Sequence, residues 1–105
     1  MSAGKIEALK QAYAKSLTTK LATLEQLYQH FIEQTGDEPV KALHVFTHNL
    51  SGSAGLYGYP EVATKSKALM QIVETSYEVE PLPETQAEFN RLKDALQQAI
   101  QEKTS

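Results

Sequence analysis

The chain has 105 residues, enough for one domain with a modest core and too few for a nucleotide-binding kinase domain beside it. Hydrophobic residues make up 41% and charged residues 22%, and ten Lys plus Arg against thirteen Asp plus Glu leave a formal net charge of −3. That globular, mildly acidic balance gives no reason to expect nucleic acid or an anionic membrane as a partner. There is no cysteine, which excludes disulfides, thiolate metal sites and thiol nucleophiles. No apolar run approaches the roughly 20 residues a bilayer span needs, and the N-terminus lacks a signal-peptide hydrophobic region, so the expectation is one cytoplasmic domain over residues 1–105.

From Gly4 to about Gln34, Ile6, Leu9, Tyr13, Leu17, Leu21, Leu24, Leu27, Tyr28, Phe31 and Ile32 recur at helical spacing. This predicts one long helix, or two if Ser16-Leu17-Thr18-Thr19 breaks it, because hydroxyl residues suit an N-cap better than a helix interior. Gly36 reads as a helix stop and Asp37 as a candidate N-cap, with Pro39 near the first turn of a second helix ending between Gly55 and Gly58. Leu56 and Tyr59 are expected to close the turn that follows.

A third helix is predicted from Pro60, with Val62, Ala63, Ser66, Leu69, Met70, Val73 and Tyr77 at core-like spacing. Glu80-Pro81-Leu82-Pro83 reads as a loop, since each proline disfavours helix in the residue before it. A last helix over about 84–102 supplies Phe89, Leu92, Leu96, Ala99 and Ile100, and Lys103-Thr104-Ser105 is expected to fray. The fold class is all-α: an antiparallel up-down four-helix bundle, with a short extra N-terminal helix if the first segment breaks.

The stretch His44 to Tyr59, HVFTHNLSGSAGLYGY, stands apart from this ordinary amphipathic pattern. On a wheel of roughly 100° per residue, Val40, Leu43, Thr47, Leu50 and Ala54 form one stripe, and His48 falls roughly 140° from Leu43. His48 therefore points outward, with Gly52 one turn on and Ser51 and Gly55 beside it. Helix-interior glycine costs about 1 kcal/mol relative to alanine, so these glycines suggest that something approaches the backbone closely.

The run His48-Asn49-Leu50-Ser51-Gly52-Ser53-Ala54-Gly55, followed by Leu56, Tyr57 and Gly58, resembles the signature of histidine-containing phosphotransfer (HPt) domains, and the rest of the chain fits that family's helical pattern. The resemblance is to bacterial stand-alone members. It implies a phosphocarrier of a two-component phosphorelay that accepts a phosphoryl group on His48 from a receiver-domain aspartate and hands it to another receiver. The implied partners are response-regulator receivers and a hybrid histidine kinase. No cofactor of its own is implied, and Mg²⁺ is expected on the receiver. This sequence departs from the family at Ser51, where lysine is frequent.

The residues bear on that chemistry independently. An exposed imidazole with an ordinary pKa of about 6.5 is largely neutral near pH 7, can take up a phosphoryl group and can release it. Gly52 and Gly55 would keep the surface beside His48 low, Gly52 for access and Gly55 for close helix packing. Asn49 and Ser51 can donate hydrogen bonds to phosphoryl oxygens, Ser51 being nearer by register and supplying one hydroxyl and no charge. Among the lysines 41, 65 and 67, Lys67 on the following helix is the better candidate to replace the missing charge. Tyr57 and Tyr59 suit either a partner-binding rim or the closing of the turn. There is no P-loop, so ATP-dependent kinase activity is not expected.

His44 lies one turn before His48, and histidines so spaced can chelate a metal. No Glu follows His44 in a zincin pattern and His30 lies on another helix, so no metal site and no metal-dependent helical-bundle enzyme is expected; His44 reads as an inert neighbour or a hydrogen-bonding helper. The rival reading, motivated by Ser51, is a helical interaction module that regulates a histidine kinase or response regulator without carrying phosphate.

Overall fold

A computed structural model describes residues 3–33, 37–75 and 83–104. All four elements are helices: α1 (Ala3–Glu33), α2 (Asp37–Leu56), α3 (Pro60–Glu74) and α4 (Pro83–Thr104). Each packs against two neighbours in ring order, α1 on α2, α2 on α3, α3 on α4 and α4 on α1. The result is an antiparallel four-helix bundle measuring 48 × 27 × 19 Å, whose long axis matches the ~46 Å length of the 31-residue α1.

Local chemistry starts and stops these helices. Asp37 and Glu38 occupy the first turn of α2, where carboxylates complement the helix dipole, and Pro60 and Glu61 do the same for α3. α2 ends at Leu56, and Gly58 just beyond it adopts φ +88°. Tyr59 N donates to Ala54 O at 2.8 Å and Gly58 N to Gly55 O at 3.4 Å, the paired bonds of a glycine-terminated helix end. α3 closes with Thr75, whose hydroxyl donates to Ile72 O at 2.8 Å.

α1 runs unbroken through Ser16-Leu17-Thr18-Thr19, so there is no separate N-terminal helix. Ser16 does not cap; its hydroxyl donates back to Tyr13 O at 2.6 Å and accepts from Lys20 Nζ at 2.9 Å, within the continuing helix. α4 also extends beyond the expected fraying point, to Thr104. Gly36 and Tyr77, and the Glu80 to Leu82 part of the expected loop, lie outside the described residues.

Leu17, Leu24, Leu43, Leu69, Leu92 and Leu96 form the fully buried centre. Thr47 and Ser66 are buried with them, and each hydroxyl donates to a carbonyl of its own helix, Thr47 to Leu43 at 2.9 Å and Ser66 to Val62 at 2.7 Å. Both hydroxyls are thus satisfied, whereas the buried Thr85 Oγ1 on α4 has no hydrogen-bond partner, and the small side chains hold α2 and α3 close. An aromatic layer closes each end. Tyr28 stacks on Phe89 with centroids 3.9 Å apart, and Tyr13 stacks on Tyr57 at 4.5 Å beside Tyr59 at 5.7 Å. Tyr57 and Tyr59 thus seal the α2–α3 turn, whereas Leu56, expected to help, is 77% exposed. Ile6 and Leu9 are exposed as well, and Tyr13 is the first buried residue of α1.

Gly58→Ala should destabilise the fold by about 1–2 kcal/mol in urea unfolding, because a Cβ is strained at positive φ. Burial also raises the Tyr13 and Tyr28 hydroxyls above their usual range, with the Ser53 hydrogen bond partly opposing this at Tyr13. A raised folded-state value means stability is intact below the ordinary tyrosine pKa of about 10 and is lost as pH rises through the folded-state values. Unfolding midpoints should therefore fall above about pH 10, and Tyr28→Phe should flatten that fall.

Candidate functional site

α2 carries its apolar stripe, Val40, Leu43, Thr47, Leu50 and Ala54, into the core. One flank leans toward α1, where Ser53 meets the Tyr13 hydroxyl at 2.8 Å. The opposite flank leans toward α3 and carries His44, His48, Ser51 and Gly55. His48 and Gly52 are exposed, Ser51 and His44 are half-buried, and Asn49 is exposed further round the helix.

His44 is anchored across the helix pair: its Nε2 lies 2.7 Å from Glu74 Oε1 on α3. The His44 and His48 rings are nearly parallel, with centroids 6.4 Å apart and an interplanar angle of 12°. His44 is thus a hydrogen-bonded neighbour of His48. Among the described residues no three His, Asp or Glu side chains gather closely enough to hold a metal ion.

Gly52 has open space where a side chain would stand, with no atom within 4 Å of a Cβ built there. At Gly55 the same Cβ would lie 3.8 Å from Ala63 Cβ, an ordinary van der Waals contact. α3 passes close by, yet alanine would fit, so close packing does not demand glycine at position 55. Gly58 has a different task, turning the chain. The exposed side of α2 around His48 also carries Val45, 56% exposed, and Leu56.

On α3, sequence reasoning singled out Lys67 for this flank but missed Glu74, the partner of His44. Ala63, Lys67, Met70 and Glu74 follow one another at spacings of four, three and four, the same rhythm as His44, His48, Ser51 and Gly55 on α2. That matched rhythm was the available signal.

A family model for the Hpt domain matches residues 8–102, nearly the whole chain and the whole of α2 and α3. The chain belongs to the Hpt domain family. Neither a curated protein nor a solved structure gives a significant match. Hpt domains carry phosphoryl groups on histidine in phosphorelays, without a kinase activity of their own, and interact with receiver domains and kinases. No described helix is long and apolar enough to cross a membrane.

Gly52→Ala and Gly55→Ala should each stabilise the fold by roughly 0.5–1 kcal/mol, since both glycines sit inside a helix and neither position is crowded. Urea titration of the two variants checks this. A loss of stability at Gly52 would mean that its neighbourhood is packed rather than open.

Proposed function

We propose that this Hpt domain is a cytoplasmic phosphocarrier with His48 as its phosphoacceptor. The observation supporting this reading is the placement of His48: exposed, mid-helix, and one turn before a glycine that leaves the adjoining surface bare. A phosphoacceptor must meet a second protein's reacting aspartate in line, so access decides whether transfer is possible.

In the accepting step, a neutral His48 nitrogen attacks the phosphorus of a receiver's aspartyl phosphate. The N–P bond forms, the P–O bond to the aspartate breaks, and the carboxylate leaves with the bonding pair. The donating step reverses this onto a second receiver's aspartate. Mg²⁺ on the receiver supplies charge neutralisation at the phosphoryl oxygens. This chain contributes the nucleophile, its rigid placement on α2, and a docking face in which exposed Val45 offers apolar contact and Asn49 a hydrogen-bonding amide. His44, hydrogen-bonded to Glu74, restricts the space on one side of the His48 ring.

The test is transfer from a phosphorylated receiver to purified protein, with His48→Gln in parallel. Acid-labile label is expected on the wild type and none on the variant. Gly52→Gln should slow transfer by about tenfold or more while the helix stays intact, because a side chain would then stand over the approach to His48. A receiver that binds tightly yet leaves the wild type unlabelled would replace the carrier reading with the regulatory-binder one.

A further inference from the structure

One contact and one close approach between α2 and α3 fix their register. His44 meets Glu74 at one end, and at the other a Cβ on Gly55 would stand 3.8 Å from Ala63 Cβ; the two are eleven residues apart on both helices. Antiparallel helices matched at both ends with equal spacing run level in between. Four residues in from His44 and from Glu74 stand His48 and Met70. Seven residues in, two helical turns, stand Ser51 and Lys67.

This places Lys67 directly across from the position where a lysine is missing. Ser51 is half-buried and brings a hydroxyl without charge, while Lys67 is exposed on the edge of α3 that borders α2. Met70, level with His48, offers only a thioether, a weak acceptor. Ser51 lies ~4.5 Å along the axis from His48, within the sweep of a lysine's four-carbon stem, and no side chain at Gly52 stands in the way. The alternatives fit less well. Lys65 lies on the other flank of α3, toward α4, and Lys41 stands two full turns from His48 on its own helix.

We propose that Lys67, from α3, supplies the positive charge to a phosphoryl group on His48 that Ser51 does not supply from α2. The inference rests on the carrier reading of His48 and adds a residue that acts on the phosphoryl oxygens rather than on the fold. The family's usual charge is thereby moved across the helix pair, from the nucleophile's own helix to the facing one. Because the ammonium is on a flexible exposed stem, it favours the phosphorylated state without blocking the free one.

The experiment uses phosphoramidate, a receiver-free donor whose P–N bond breaks with loss of ammonia as the imidazole N–P bond forms. Phosphorylated wild type, Lys67→Met, Lys67→Arg and the double variant Lys67→Met/Ser51→Lys are titrated by ³¹P NMR. Lys67→Met should raise the midpoint of the phosphoryl group's last ionisation by about half a pH unit, the scale of one charge nearby in a largely aqueous setting. Lys67→Arg should hold the wild-type midpoint, and Ser51→Lys should restore it in the double variant. With a phosphorylated receiver as donor, Lys67→Met should shift the transfer equilibrium away from His48 about threefold, and the double variant should recover it. An unchanged midpoint in Lys67→Met overturns the proposal even if transfer from the receiver falls, since the lysine would then serve docking alone. No phosphohistidine on wild type from either donor would overturn the carrier reading itself, a different outcome from an unmoved midpoint.

Discussion

The close antiparallel packing of α2 on α3 is the constraint on which the rest depends. It is built from small and medium side chains, Ala54, Leu50, Thr47 and Leu43 on one helix and Val62, Ser66, Leu69 and Val73 on the other, all buried. Two of these are hydroxyl residues that bond inward to their own helix and so behave as compact fillers. The turn between the helices is equally constrained, because Gly58 at φ +88° and the Tyr59-to-Ala54 bond set where α3 starts relative to α2. Once that geometry is set, the flank of α2 bearing His48 and the edge of α3 bearing Lys67 share one surface.

Much of this was legible in the residues. The wheel position of His48 follows from the apolar stripe on α2, and a residue well off such a stripe faces away from the core. Proline at position 60 and the glycine at 58 marked the turn by local backbone chemistry alone. Where expectation failed, tertiary context decided. Ser16 reads as a cap, but nothing in its own sequence says that the neighbouring Leu17 is wholly buried and holds the helix through it. Leu56 and Ile6 read as core by hydrophobicity, and only the position of the other helices shows that there is nothing over them to bury against.

The cross-helix pairings were the least legible part. The Glu74 partner of His44 and the alignment of Lys67 with Ser51 depend on how two helices slide past one another. That offset is set by turn geometry and side-chain volumes together, not by either helix alone. Glycines 52, 55 and 58 show the same limit, since one motif contains three glycines with three different reasons: open surface, an ordinary neighbour, and a left-handed backbone. Sequence spacing groups them; only the fold separates them.

The helices that carry the histidine face are consecutive in the chain and joined by the three residues 57–59. A hairpin of neighbours closes a short loop and costs little chain entropy, whereas the α1–α4 seam joins segments such as Tyr28 and Phe89 from distant parts of the sequence. The histidine-bearing face is therefore a property of a local unit. Changes along the α1–α4 seam will alter how much of the protein is folded, while the shape that a partner meets stays that of the hairpin.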